Sequence, residues 1–519
     1  MSLESRLDAL FSMWKQGVCP GGQVLVRQHG KVLFQKNYGY ANLEHEIPIT
    51  SQTVFHVASV SKQITVLALL LLQEDGKVNI DHDIRNYVPD LIHFSEPVSV
   101  RQCMNNVSGI RDQWLALVLH GVRIDDTITQ RDLKTIIAKQ KKLNFAPGSK
   151  YLYSNSNFTL LAEIVERISG KSFSSFVEER IFKPLGMSHT VIRDTYWQMI
   201  PKKAYSYHDN GEGIFTWNVL NYGAYGATSL HTTAEDFMKI LNNYRTPKVG
   251  SPATMDLMMH RPTLTDGTKS GYGGGLMLGE YLGHPYLEHG GADAAFRAHV
   301  MRFPEDDLDI VLFSNTQFTP MSLLARRVAH IILDINEEKP DLVVYLKEDS
   351  VRAKPGLYVN LEVPDVIHLT EDNGSLLKGK TPIHHLGHNR YRLGYGATEY
   401  LFTKEGLVSV TGPTLAKYTY LPDKEVVAEE ALPLCGFYYS EEIETRYEIL
   451  YRDGFLYVKH FRHGEHRLYR SPGKIASYFT WNTDFSGILD FVADDKDRYT
   501  KILLSGGRIL NLELNRVAR

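Results

Sequence analysis

The sequence predicts a mixed α/β or α+β domain followed by two small all-β modules. Three observations carry this expectation. Residues 1–335 mix strand-like and helical patterns, with strands towards both ends and helices in the middle. Helical periodicity stops after Glu337-Glu338-Lys339-Pro340. Short alternating runs then take over, divided by the turns Asp372-Asn373-Gly374, Lys404-Glu405-Gly406 and Arg452-Asp453-Gly454. Finally, this β region repeats itself: Pro355-Gly356-Leu357-Tyr358 is echoed by Cys435-Gly436-Phe437-Tyr438, with Pro422-Asp423-Lys424-Glu425 between the copies. Each copy has the size of a small barrel or sandwich.

Taken in order, residues 23–27 and 32–34 read as two strands around a Gln28-His29-Gly30-Lys31 turn. A helix is predicted over 59–74, ended by Gly76. It is apolar on most sides, the pattern of a helix buried in the middle of a domain. A second, amphipathic helix is expected over 157–170, and strand-like runs return at 299–303 and 309–313. A helical stretch over 320–333 follows. Aromatic residues crowd residues 430–519, which favours β structure there.

Composition narrows the function. The chain has 519 residues and a formal net charge of −3, which argues against a nucleic-acid binder. No apolar stretch is long enough to span a bilayer, and Met1-Ser2-Leu3-Glu4-Ser5-Arg6 has no secretory h-region. A cytoplasmic location is expected, or a periplasmic one had a leader been removed. The three cysteines, Cys19, Cys103 and Cys435, form no CxxC pair and suggest no disulfide framework.

The chemistry points to one serine. S-x-x-K occurs at Ser12–Lys15, Ser59–Lys62, Ser375–Lys378 and Ser471–Lys474. Ser12 falls in a surface-like amphipathic helix, Ser375 in a polar turn, and Ser471 before Pro472-Gly473. Only Ser59 begins a buried helix. Ser59 and Lys62 would share a helix face there, with the helix N-terminus favouring negative charge on the hydroxyl oxygen. A desolvated Lys can lose its proton and activate that hydroxyl. Tyr153-Ser154-Asn155 supplies a Y-x-N element ahead of a helix. His289-Gly290-Gly291 precedes residues 292–303, which read as a strand edge.

These elements, in this order, resemble the serine β-lactamase and penicillin-binding-protein family, in its class C-like branch. The resemblance covers roughly residues 10–335. It extends to Asn106-Val107-Ser108-Gly109-Ile110, Phe182-Lys183-Pro184-Leu185-Gly186-Met187, Gly226-Ala227-Thr228-Ser229-Leu230 and Tyr272-Gly273-Gly274-Gly275-Leu276. Within that branch the chain is most similar to the bacterial D-aminopeptidases, which also carry His-Gly-Gly and two C-terminal β-barrels. The resemblance implies an α+β fold, with an antiparallel sheet, helices on both of its faces, and two antiparallel lipocalin-like barrels. It implies a hydrolase domain over 1–337 and barrels over 338–424 and 425–519.

Roles carry over with it. Ser59 would be the acylated nucleophile, and Lys62 and Tyr153 would share general-base and general-acid duty. Asn155 would orient the substrate amide or the Lys62 ammonium. His289 would sit opposite, with Gly290 and Gly291 beside the substrate backbone. The backbone N–H groups of Ser59 and Ala292 would form the oxyanion hole. Most family members have Lys where this chain has His289, and a His is mostly neutral at pH 7. That weakens the case for a β-lactamase or a reader of C-terminal carboxylates. Arg297 is the candidate to supply the missing charge. Asp484 is the nearest candidate to read a substrate's free amino group, on a turn shorter than the corresponding loop of the family.

The expected function is therefore a serine hydrolase cleaving an amide, peptide or ester through an acyl-enzyme, most similar to a D-aminopeptidase. The alternatives are a carboxylesterase, a weak β-lactamase or D,D-peptidase, and a non-catalytic penicillin-recognising protein. No metal or cofactor is expected. His384, His385 and His388 read as a solvated face, and Gly273-Gly274-Gly275 as a strand beside the cleft. The expected partners are small peptide, amide or ester substrates, with a homodimer as the candidate assembly.

Overall fold

The computed structural model describes residues 1–123, 125–209, 213–317, 319–335, 351–360, 365–378, 381–393, 398–411, 414–422, 424–472, 476–481 and 486–518. The chain divides into two compact units. The first comprises Met1–Ile110, Asp125–Ala138 and Phe145–Glu338; the second comprises Arg111–Ile124, Lys139–Asn144 and Lys339–Arg519.

The main strands of the first unit are β1 (Gly22–Gln28), β2 (Lys31–Tyr38), β3 (Phe55–His56), β4 (Val191–Ile192), β5 (Leu230–Thr232), β6 (Met277–Tyr281), β7 (His284–Asp293), β8 (Phe296–Phe303) and β9 (Leu308–Ser314). Its principal helices are α1 (Leu3–Ala9), α2 (Lys62–Glu74), α3 (Asn155–Ser169), α4 (Ala234–Arg245) and α5 (Met321–Leu333). Six strands form one antiparallel sheet in the order β6-β7-β8-β9-β1-β2. Strands β3, β5 and β4 make a separate three-stranded sheet.

Side chains alternate across the large sheet with period two, and both faces are covered. Val24, Val26, Ile310 and Leu312 join Leu7 of α1 and Leu324 and Val328 of α5 in one core layer. Phe313 points the other way, with its ring 6.1 Å from Phe237 of α4 and 6.3 Å from Phe55. Burial on two faces explains why every residue of β9 is buried. Helix α2 is buried from Lys62 to Leu72, as its all-round apolar sequence predicts, and packs against α3. Ser12 does not lie in an amphipathic helix. It opens a single 3-10 turn, Ser12–Trp14, whose Trp14 is stacked on Phe11 in the core.

The second unit contains two closed antiparallel barrels of eight strands each, from Gly356–Asn360 to Thr414–Leu421 and from Gly436–Ser440 to Ile509–Val517. Aromatic side chains stand in both cores. Tyr358, Tyr400, Phe402 and Tyr418 belong to the first core, and the Tyr438 and Tyr478 rings each meet Phe491 edge-on at 5.9 Å in the second. The sequence repeat has a structural counterpart. Tyr358 Oη donates to the Lys354 carbonyl at 2.9 Å, and Tyr438 Oη donates to the Leu434 carbonyl at 2.9 Å. The same unit holds a buried ion pair, Arg111 to Glu442 at 2.8 Å.

Among the described residues, no helix is long and apolar enough to cross a membrane. The three cysteines are free thiols. Among the described residues there is no group of three or more His, Cys, Asp and Glu side chains able to hold a metal.

Candidate active site

Ser59 sits in a tight turn between β3 and α2, not inside α2. Residues Ala58–Ser61 form a 3-10 turn, and the α-helix begins at Lys62. Ala58 has φ +49°, a left-handed conformation that costs a non-glycine residue about 1–3 kcal/mol. Three bonds hold the turn in place. Ser61 Oγ donates to the Ala58 carbonyl at 2.5 Å and accepts the Leu230 N–H at 3.0 Å, and the Val57 N–H donates to the Leu230 carbonyl at 3.0 Å. Strand β5 thus fixes the backbone on either side of the serine.

Lys62 is fully buried directly beneath Ser59. Its Nζ donates to Ser59 Oγ at 3.1 Å, Asn155 Oδ1 at 2.8 Å and the Ala227 carbonyl at 2.7 Å. Helix α3 begins at Asn155, earlier than periodicity alone suggests, and so carries that amide at its first turn. Tyr153 lies just before it, half-buried, with its ring centroid 4.8 Å from Lys62 Nζ and 6.2 Å from the His289 ring. Asn106 anchors this segment. Its Oδ1 accepts the Ser154 N–H at 3.0 Å and Asn157 Nδ2 at 2.9 Å, and its carbonyl accepts the Leu152 N–H at 3.1 Å.

Residues 292–303 are not one strand. His289 lies inside β7, which ends at Asp293, turns through Ala294 at φ +45°, and returns as β8. Arg297 is therefore on the neighbouring antiparallel strand, in register with Ala292. No Gly, Pro or Asn marks that turn, so the sequence conceals it. Strand β6 pairs β7 only from His284 to Glu288, which leaves His289–Asp293 as a sheet edge beside the Ser59 turn. Gly291 closes that approach, since a Cβ there would collide with the Val57 carbonyl oxygen. Gly290 has room for one, the nearest atom being His299 Nδ1 at 3.6 Å.

Gly273-Gly274-Gly275 is a loop rather than a strand. Gly275, at φ +75°, lies so close to α2 that a Cβ would come within 2.9 Å of the Lys62 backbone. The preceding residue of the motif, Tyr272, reaches His289: the phenol Oη is 3.0 Å from Nε2, and Nδ1 is 2.6 Å from the Gly290 carbonyl. A carbonyl can only accept, so Nδ1 carries the proton and Nε2 accepts from Tyr272. Burial, reinforced by the Lys62 charge, lowers the His289 pKa to about 3. The imidazole is neutral at pH 7.

Arg297 is half-buried and partly committed to its own turn, donating to the Phe296 carbonyl at 2.7 Å and to Ala294 at 3.2 Å. Burial lowers its pKa, opposed by the Asp293 charge. Asp484 lies outside the described residues. The structure therefore brings together Ser59, Lys62, Tyr153, Asn155 and His289.

Sequence reasoning missed Asn106, Tyr272 and a polar cluster at the end of β7. There Asp293 Oδ2 meets His56 Nε2 at 3.3 Å, Thr228 Oγ1 at 3.3 Å and the Tyr222 hydroxyl. Burial alone would raise the Asp293 pKa, but the hydrogen bonds from His56, Tyr222 and Thr228 hold it below the usual carboxylate value. Asn106, Tyr272 and Thr228 all stand in the stretches that carry the family resemblance, which gave no hint of these partners. His384, His385 and His388 lie on and beside one strand of the first barrel, where His385 Nε2 is 2.8 Å from the His388 carbonyl.

The buried Lys62 thus links a serine at a helix start to the amide of a Y-x-N element, beside an open sheet edge, a geometry in which an amine can take the hydroxyl proton. The Beta-lactamase family model matches residues 7–333, and the chain belongs to that family of hydrolases. A D-aminopeptidase of Gluconobacter oxydans is 30% identical over 319 residues, 60% of this chain and 59% of that protein's length. A D-aminopeptidase of Cereibacter sphaeroides is 27% identical over 470 residues, 88% of this chain and 86% of its own. Among solved structures, the octameric penicillin-binding protein homologue of Pyrococcus abyssi superposes with a TM-score of 0.58 at 18% identity, covering 94% of this chain and 97% of that one. The D-amino acid amidase of Ochrobactrum anthropi gives 0.53 at 22% identity, covering 64% and 98%. At these identities the structural likeness shows the fold.

Proposed function

We propose that the protein is a serine hydrolase that cleaves amides or esters through an acyl-enzyme on Ser59, with D-aminopeptidase-like amide substrates preferred. The observation that carries this is the position of Lys62 Nζ, held between Ser59 Oγ, Asn155 Oδ1 and the Ala227 carbonyl. The last two groups are acceptors only. A neutral Lys62 amine keeps both with its two N–H bonds and turns its lone pair to the Ser59 hydroxyl. In acylation Ser59 Oγ bonds to the substrate carbonyl carbon and its proton passes to Lys62. The oxyanion rests on the backbone N–H groups of Ser59 and Ala292. Collapse breaks the bond to the amine or alcohol, which leaves with a proton delivered through Lys62 or Tyr153. Water then attacks the ester, its proton follows the same route, and the acid departs with Ser59 restored.

The relatives named D-aminopeptidase support amides over lactams. The neutral His289 supports the same choice, because it offers no cation to a C-terminal carboxylate. In this reading Gly290 and Gly291 line the substrate backbone, Arg297 borders the site through Ala292, and Asp484 is the candidate ligand for the substrate's amino group.

The test is an assay of the purified chain with D- and L-alanine p-nitroanilides, a short-chain nitrophenyl ester and a chromogenic cephalosporin, with Ser59→Ala in parallel. Turnover of the D-anilide, lost by at least about a thousandfold in Ser59→Ala, is expected. Turnover of the ester alone would leave a carboxylesterase and end the aminopeptidase reading. Absence of turnover, together with no labelling of Ser59 by a β-lactam or phosphonate, would leave a binding protein.

A further inference from the structure

A second cleft of about 400 Å³ lies in the first unit, and none of Ser59, Lys62, Tyr153, Asn155 or His289 lines it. Its volume is within the range of small-molecule sites. Its walls are aromatic. Trp197 and Trp217 are 68% and 59% exposed, and each is braced edge-on by a tyrosine, Tyr196 at 4.6 Å and Tyr205 at 5.4 Å. Large flat rings fixed by neighbours yet open to water are a ready surface for a flat apolar partner.

The base of the cleft carries two cations. Arg193 is 7% exposed; its guanidinium donates to the Leu220 carbonyl at 3.2 Å and to the Tyr196 carbonyl, while its buried Nε–H has no acceptor. Lys203 is half-buried, with Nζ 5.6 Å from the Tyr205 ring centroid. Among the described residues no Asp or Glu pairs with either side chain. Burial and the Arg193 charge lower the Lys203 pKa, and burial lowers that of Arg193. Two desolvated cations of like sign are costly to keep without a counter-ion. A bound anion would remove that cost.

We propose that this cleft is a binding site for an organic carboxylate with a flat apolar or aromatic body. The ring would lie against Trp197 and Trp217, and the carboxylate would accept from Lys203 Nζ, beside the positive charge of the Arg193 guanidinium. The site is separate from the hydrolytic centre and does not depend on the reaction assigned to Ser59.

Titration calorimetry on the full chain carrying Ser59→Ala tests this with three probes: 3-phenylpropionate, 3-phenylpropionamide and acetate. The first supplies ring and charge, the others one of the two. Saturable binding of 3-phenylpropionate, at least about tenfold tighter than either comparison, is expected, with a change in tryptophan fluorescence. Lys203→Gln and Trp217→Ala should each weaken it by about tenfold or more, and Lys203→Arg should retain it. Circular dichroism melts of the variants show that they are folded. Equal affinity for the amide, undiminished binding in folded Lys203→Gln, or no saturable binding would each overturn the proposal.

Discussion

Tyr272 and His289 are 17 residues apart in sequence and joined side chain to side chain, with Tyr272 Oη 3.0 Å from His289 Nε2. The bond fixes the ring in one orientation and one tautomer, Nδ1–H towards the Gly290 carbonyl. Tyr272→Phe would leave the buried Nε2 without its donor, a loss of about 1–3 kcal/mol. If His289 borders the reacting substrate, kcat/KM should fall by about tenfold in this variant. Steady-state kinetics with D-alanine p-nitroanilide, beside a thermal melt, checks this. A lower melting temperature with unchanged kinetics would make Tyr272 a structural residue only.

The neutral state of His289 has a consequence for stability. Its pKa is near 6.5 in the unfolded chain and about 3 when folded. Between those values the unfolded chain binds the proton and the folded chain does not. Stability therefore falls as pH falls through that window, by up to about 1.4 kcal/mol per pH unit. His231, whose pKa burial drives well below its usual value, contributes with the same sign. His289→Gln should shallow, without abolishing, the slope of unfolding free energy between pH 6.5 and 5. Urea titrations across that range measure it, and an unchanged slope would contradict the assignment.

The two glycines after His289 separate packing from substrate approach. A methyl group on Gly291 would meet the Val57 carbonyl, so Gly291→Ala must push β7 away from the Ser59 turn. A destabilisation of about 1–3 kcal/mol is expected, together with lost turnover. Gly290→Ala has space in the free protein and should melt like the parent. If substrate backbone lies along this edge, Gly290→Ala should nevertheless raise KM or lower kcat. An unstable Gly290→Ala, or one with parental kinetics, would count against that placement.

What could be read from the sequence was whatever depends on local pattern. Helix α2 shows itself because residues on all its faces are apolar, and Ser59 stands out by preceding it. The barrels show themselves through turn residues and a repeat. The hairpin between β7 and β8 stayed hidden because Ala294 adopts φ +45° without a glycine to mark it. Gly273-Gly274-Gly275 was misread because three glycines suit a strand edge as well as a loop. Contacts between distant residues left no local trace: Asn106 to Ser154 spans 48 positions and His56 to Asp293 spans 237. Each role there is set by folding partners that no window of sequence contains.

The repeated tyrosines give a test within one molecule. Tyr358 Oη bonds the Lys354 carbonyl and Tyr438 Oη bonds the Leu434 carbonyl, both at 2.9 Å and both at the first strand of a barrel. Both side chains are about 1% exposed or less, so the ring contributes apolar burial and the hydroxyl contributes the tie. Phenylalanine keeps the first and deletes the second, leaving a carbonyl short of a donor. Tyr358→Phe and Tyr438→Phe should each cost about 0.5–1.5 kcal/mol, and the double variant their sum. Alanine at either position should cost several times more, because it also opens a cavity. Denaturant unfolding of the full chain gives these values. A phenylalanine variant as damaging as the alanine one would show that the hydroxyl, not the ring, holds the first strand of the barrel.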